Sequence, residues 1–205
     1  MERKQRLIFY IDGFNFYFGL REKKWKKFYW LDLVKFSSNF LRKHQELIEV
    51  KYFSAIPKDS GKQDRQDLFF TANKINKKFK LILGKYLEKN VEFGGNKYKT
   101  FEEKQTDVNI AVNLIRDVIY DKCDLSILIS ADSDLTPAFE FIREYKPNHK
   151  LLVYFPPLRF SYELKTICNS YLKLENYNHI FEHSLLPDEI KIESGYIIKK
   201  PLKWK

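Results

Sequence analysis

Short, almost wholly apolar runs alternate with helical patterns along this chain, and that alternation restricts the fold more than any other feature. Leu7-Ile8-Phe9-Tyr10-Ile11, Leu125-Ser126-Ile127-Leu128-Ile129 and Leu151-Leu152-Val153-Tyr154-Phe155 each have strand length and offer little to water. Between them lie segments with apolar residues at helical spacing. The clearest covers residues 107–120, where Ile110, Ala111, Leu114, Val118 and Ile119 form one stripe and Thr106 or Asp107 can cap the start. Strands alternating with helices build a mostly parallel sheet covered on both faces. The expectation is an α/β fold.

Further elements fill in the pattern. Residues 50–56 alternate apolar and polar positions before Pro57, and residues 81–87 read as another strand. Residues 92–99 suit a hairpin turning at Gly94-Gly95-Asn96. Helices are expected over 14–20, 31–42, 63–79, 135–145 and 162–169, with Pro137 in the first turn of the fourth. A last strand is expected near 171–174, and residues 21–30 read as an exposed loop.

The chain has 205 residues, is 44% hydrophobic and contains only 7 Gly and 7 Pro, so it can bury one substantial core without a long linker. One domain is expected over residues 1–183, followed by a C-terminal extension or terminal hairpin over 184–205. No apolar run reaches membrane-spanning length, and no signal-peptide pattern precedes the first strand, which points to the cytoplasm. Cys123 and Cys168 form neither a close pair nor a cluster, which argues against a disulfide framework. His179 and His183 have the spacing of two ligands on one helix face, but no Cys or Glu completes a zinc pattern beside them.

Two of the apolar strands run straight into aspartate. The first reaches Asp12-Gly13-Phe14-Asn15, and the second reaches Ser130-Ala131-Asp132-Ser133-Asp134. In parallel α/β sheets, ligands bind beyond the carboxyl ends of strands, where strand order reverses. A carboxylate is costly to desolvate unless a cation or hydrogen-bond donors compensate it. Each acid has two readings. Asp107 can cap its helix or face a cation; Asp134 is well placed as an N-cap before Leu135, and Asp132 sits two residues earlier. Asp12 has no comparable capping role in the pattern, because Gly13 follows it and lets the backbone turn sharply or approach a ligand. Asn15 can cap the next helix, or orient a water or a phosphate.

Taken together, acids from separate segments meet at one sheet edge. They are the oxygen ligands that a hydrated Mg²⁺ or Mn²⁺ takes. Such an ion suits phosphodiester hydrolysis, and nothing in the order of Ser, Cys, His and Asp suggests covalent catalysis.

Three blocks in order, Ile11-Asp12-Gly13-Phe14-Asn15, Thr106-Asp107-Val108-Asn109-Ile110-Ala111 and Ser130-Ala131-Asp132-Ser133-Asp134-Leu135, resemble the signatures of NYN domains. More narrowly they look like the LabA-like branch, within the PIN-like nuclease superfamily. Lys51-Tyr52-Phe53 and Arg65-Gln66 fit the same resemblance, which covers roughly residues 6 to 175. It implies a single-domain α/β/α sandwich around a mostly parallel sheet and metal-dependent cleavage of RNA. Its acidic positions fall on Asp12, Asp107, Asp132 and Asp134, with Asn15 beside them. Lys104-Gln105-Thr106 departs from the pattern, which often carries glycine there. A homodimer is expected on family analogy alone.

Net charge is +10, from 37 Lys+Arg against 27 Asp+Glu, which suits a phosphate-rich partner equally with a solvated surface. Residues 21–30 interleave bases with aromatics. Lys23, Lys24, Trp25, Lys26 and Lys27 are the expected RNA contacts there, cations tracking phosphates while aromatic faces stack bases; the other reading anchors the aromatics in the core. Lys97 and Lys99 on the hairpin are candidates to clamp a strand, and Tyr17 and Phe18 could line a groove or a dimer interface. Three functions follow: a metal-dependent ribonuclease, a non-catalytic RNA-binding module, or a small-molecule phosphohydrolase. Phe14 stands where a haloacid-dehalogenase-like site would want Asp, and no P-loop or dinucleotide fingerprint occurs.

Overall fold

The structure is a computed structural model that describes residues 3–56, 59–93, 96–192 and 195–204, with the backbone alone along the strands between 87 and 103. Its centre is a six-stranded sheet in which every neighbouring pair is parallel. Strand β1 (Gln5–Asp12) lies in the middle, flanked on one side by β2 (Gln45–Ser54) and β3 (Phe79–Leu83). Strands β4 (Lys85–Phe93) and β5 (Asn96–Lys104) form a separate antiparallel hairpin. The chain then returns to the other side of β1 with β6 (Leu125–Ile129), β7 (Lys150–Phe155) and β8 (Ser170–Lys173). Growth of the sheet thus reverses between β1 and β6.

Both faces of the sheet are covered, because its central strands are apolar on both sides. Leu7, Phe9 and Ile11 of β1 point to one face, where they join Phe16 of α1 (Gly13–Glu22), Phe36 of α2 (Leu33–Ser38) and Phe69 of α3 (Ser60–Lys74). Ile8 and Tyr10 point to the other face. They meet Leu114 of α4 (Thr106–Ile119), Phe139 of α5 (Thr136–Tyr145) and Leu164 of α6 (Tyr162–Ile167). The two-residue period of a strand sends alternate side chains to opposite faces, so a strand apolar at every position needs a cover on each. Each such side chain, fully buried, contributes about 1.5–3 kcal/mol before the entropy of ordering it is subtracted. The α/β/α sandwich expected above is the fold observed.

Several elements differ from the sequence reading. The helix expected over 31–42 is confined to α2, whose start Asp32 caps by accepting from the Lys35 amide at 2.8 Å. The helix expected over 63–79 begins earlier, where Asp59 accepts from the Lys62 amide at 2.7 Å, and it ends at Lys74. The strand expected over 81–87 breaks at Gly84, whose amide donates to the Ser54 carbonyl at 2.8 Å before the chain leaves for the hairpin. The hairpin turn expected at Gly94-Gly95 lies outside the described residues.

Residues 21–30 are not an exposed loop. Helix α1 runs to Glu22 and a short 3-10 turn covers Lys26–Tyr29, with Phe28 and Trp30 fully buried. The apolar stripe of α4 is also narrower than its spacing suggests, since Ile119 is exposed.

After α7 (Asn178–Glu182), β9 (Glu189–Lys191) and β10 (Ile197–Lys199) pair antiparallel. Trp204 then packs against Tyr29, Trp30 and Phe69, while Trp30 Nε1 donates to the Pro187 carbonyl at 2.8 Å. No helix among the described residues is long and apolar enough to cross a membrane. Cys123 and Cys168 are both free.

Candidate metal centre

Asp12 ends β1 and is only 2% exposed. The sequence reading denied it an obvious capping role; the structure corrects that. Its Oδ1 accepts from the amides of Phe14 and Asn15, at 3.1 and 3.0 Å, and so caps α1. Its Oδ2 accepts from the Ser130 hydroxyl at 2.8 Å. An ionised carboxylate offers about four acceptor positions. These three bonds leave Asp12 able to serve both a helix and a cation.

Gly13 is required for space rather than for an unusual turn. A Cβ there would stand 2.5 Å from the Phe53 carbonyl oxygen and 2.7 Å from the Tyr52 ring. β2 therefore packs directly against the turn that carries Asp12.

Asp132 follows β6 and is half-buried. It caps the 3-10 turn Ser133–Leu135 by accepting from the Asp134 amide at 3.0 Å, and its own amide donates to Ser130 Oγ at 3.0 Å. The N-cap expected of Asp134 thus belongs to Asp132. Asn15 does not cap α1 either; its Oδ1 accepts from the Ala131 amide at 3.3 Å, tying α1 to the loop after β6.

Asp107 stands in the first turn of α4. Residue 105 precedes that helix as its N-cap in the left-handed conformation, at φ 79°, and Gln105 gives no side-chain cap. Neither Thr106 nor Asp107 is the N-cap residue.

Three of the expected acids converge. Carboxylate oxygens of Asp12, Asp107 and Asp132 all lie within 4.8 Å of one another. Asp134 is exposed and outside this group. Burial raises the Asp12 carboxyl above its ordinary value, and the nearby Asp132 charge adds to this, while bonds from Asn15 and Ser130 oppose it. A divalent cation of the oxygen-loving kind fits this donor set. Such ions hold carboxylate oxygens at about 2.0–2.6 Å, so oxygens this close can share one after small rotations. Asp12, Asp107 and Asp132 are the residues that would hold it.

The other expected contacts are dispersed. Lys24, Lys26 and Lys27 are exposed and Lys23 is half-buried, with its Nζ 5.9 Å from the Trp25 ring. Trp25 packs against Phe28 and Phe181, both with centroids at 5.3 Å, so its ring serves the core. Lys27 pairs with Glu182 at 2.9 Å. Lys97 and Lys99 lie on β5, with side chains outside the described residues. His183 Nδ1 meets the His179 carbonyl at 2.6 Å, which ties the pair to its own helix.

The sequence reading missed the polar bracing beneath α4. Lys51 of β2 is buried; its Nζ forms an ion pair with Asp117 and donates to Asn113 Oδ1 at 3.2 Å. The Tyr10 hydroxyl donates to Asp117 Oδ2 at 2.9 Å. One signal was present: an acid on the inward stripe of a helix and a lysine inside an apolar strand.

Residues 6–175 match the NYN domain family. A Pseudomonas putida protein named 6-hydroxy-3-succinoylpyridine 3-monooxygenase is 29% identical, over 68% of this chain and 56% of its own length. The chain thus spans little more than half of that curated relative. A Vibrio parahaemolyticus protein of unknown function has a similar crystal structure, with a TM-score of 0.58 and 18% identity over 91% of this chain and 99% of its own. At that identity the likeness concerns the fold.

Proposed function

We propose that this chain, which belongs to the NYN domain family, is a metal-dependent endoribonuclease of its LabA-like branch, acting in the cytoplasm. NYN domains form part of a nuclease superfamily, and the observation that carries the reading is the convergence of Asp12, Asp107 and Asp132 at the sheet's switch point. Bound there, Mg²⁺ or Mn²⁺ would polarise a phosphodiester and activate water for hydrolysis.

The chain's own residues set the stage. Asp12 is fixed by three hydrogen bonds, so its remaining acceptor position points in one direction only. Asn15 and Ser130 hold the two acid-bearing turns together across β1 and β6. Asp134, exposed and two residues after Asp132, would orient the attacking water. The surplus of ten positive charges would draw the RNA backbone, with Lys23, Lys24 and Lys26 of the segment after α1 among its contacts.

Labelled single-stranded RNA incubated with Mn²⁺, Mg²⁺ or EDTA tests the proposal, with Asp12→Asn alongside. Cleavage that needs the metal and disappears in the variant is expected. Salt-sensitive binding without turnover under any metal would instead make the chain a regulatory RNA-binding module.

A second reading comes from the Pseudomonas relative, whose name describes oxygenation of a small heteroaromatic ring. An aromatic cavity lies beside the acids, so a ring of that kind could be the substrate in place of RNA. Saturable binding of a hydroxypyridine, with no cleavage of RNA, would favour it.

A further inference from the structure

A cavity of about 340 Å³ opens next to the acidic edge, between α1, α3 and β2. It shares a wall with the metal centre, because Gly13 lines it and directly follows Asp12. Phe14, Tyr17, Tyr29, Tyr52 and Trp204 supply aromatic surface. Tyr17 and Tyr29 meet at 5.0 Å between centroids. Helix α3 contributes the polar side with Lys62, Arg65 and Gln66.

Gln66 gives the cavity a specific demand. Its Nε2 donates to Ser54 Oγ at 2.9 Å, whereas its Oε1 is buried and has no hydrogen-bond partner among the described residues. A buried carbonyl left without a donor is destabilising, and a ligand N–H aimed at it relieves that cost. Lys62 and Arg65 line the same cavity from this helix and are in no ion pair among the described residues, so two cations border it. The matching ligand is a flat aromatic ring with an N–H donor on its edge and an anionic group attached. A nucleotide has all three, and its base can stack on aromatic side chains whatever its identity.

We infer that this cavity is a base-binding subsite: it takes one unstacked nucleobase of a single-stranded RNA, with the attached phosphate on Arg65 and Lys62. The inference rests on the nuclease reading for its substrate and deepens it. A base inside a duplex cannot enter, since it must leave the stack first. The subsite therefore selects single strands and sets the nucleotide that lies next to the metal centre.

Tryptophan fluorescence of the full chain tests this in EDTA, without reference to catalysis. Trp204 lines the cavity and reports on its occupant. Each of the four nucleoside 5′-monophosphates is titrated into wild type, Trp204→Phe, Tyr17→Ala, Arg65→Ala and Gln66→Leu. Saturable quenching by at least one nucleotide is expected, lost in Trp204→Phe and at least tenfold weaker in the other three variants. Thermal melting identifies any variant that fails to fold; Arg65→Ala, altered on the half-buried face of α3, then decides alone. No saturable quenching by any nucleotide, or unchanged affinity in Arg65→Ala, overturns the subsite. The two proposals fail separately: metal-dependent RNA cleavage without quenching sinks only the subsite, and quenching without cleavage sinks only the nuclease.

Discussion

The Ser130 hydroxyl donates to Asp12 Oδ2 at 2.8 Å, joining the carboxyl ends of two neighbouring strands through one fully buried bond. The Ser130 Oγ in turn accepts from the Asp132 amide at 3.0 Å. One serine thus sets the spacing between two of the three clustered acids, and its own burial keeps water from replacing it.

Ser130→Ala should therefore act on metal affinity before it acts on the fold. Loss of a partner that orients a metal ligand typically costs about 10–100-fold in metal affinity. The metal concentration giving half-maximal activity should rise into that range, with stability falling by about 1–3 kcal/mol. A metal titration of activity, paired with a melting curve, separates the two effects.

Asp12→Asn should stabilise the metal-free protein even as it removes activity. The asparagine can still cap α1 and still meet Ser130, yet it carries no charge towards Asp132. A gain of roughly 1 kcal/mol would raise the melting temperature by about 2–4 °C in EDTA. Mn²⁺ should raise it in wild type and leave the variant unmoved. An Asn variant that melts lower in EDTA would show that the charge is already well compensated.

Gln105 offers a different test. A left-handed conformation costs a residue with a Cβ about 1–2 kcal/mol, and glycine recovers most of that while adding freedom to the unfolded chain. Gln105→Gly should stabilise the protein by about 0.5–1 kcal/mol, and Gln105→Val should destabilise it. Denaturant unfolding measures both.

The His149 imidazole contributes to the pH dependence of stability at mildly acidic pH. Burial pushes the His149 imidazole down to about 4 from its usual 6.5, and Lys146 adds to the effect. Between those values the unfolded chain binds a proton that the folded one does not. Stability is unaffected by this group above about pH 6.5 and falls as pH drops towards 4, by on the order of 3 kcal/mol. Asp121 and Asp124 are held low by Arg6 and Lys146, so their contribution disappears only in more acidic solution. His149→Gln should flatten the stability curve between pH 6.5 and 4 and leave the more acidic limb in place.

Lys51→Met should destabilise the protein, because it removes the nearest counter-charge of buried Asp117 and leaves only the part-exposed Lys122 at 3.2 Å and Arg116 at 3.8 Å. Breaking a buried pair outright costs about 3–5 kcal/mol, and these two cations keep the loss below that. The double variant with Asp117→Leu should recover most of this, as chemical denaturation of both would reveal.

The sheet was legible because its central strands are apolar on both faces, and only a doubly covered parallel sheet requires that of β1 and β6. The acids were legible because they end such strands. What was not legible depends on residues far apart in the chain. Nothing near Asp12 announces Ser130, and nothing near Lys51 announces Asp117. Residues 21–30 read as an exposed loop, yet Phe28 and Trp25 close over Phe181, which lies more than 150 residues further along the chain. Asp132 took the cap assigned to Asp134 because the turn tightens one step earlier, into a 3-10 geometry that spacing alone does not distinguish.

The reversal of strand order between β1 and β6 also governs when the centre comes into being. Asp12 and Ser130 stand 118 residues apart in sequence, and Leu7, paired with Leu47 on one side, finds its partner on the other side at Leu125. Closing so long a loop is among the slower events open to a folding chain. In a growing polypeptide Asp12 precedes the other two acids, and the third follows only after β6. The three carboxylates gather when β6 seats against β1, so the capacity to grip a cation arises with that pairing.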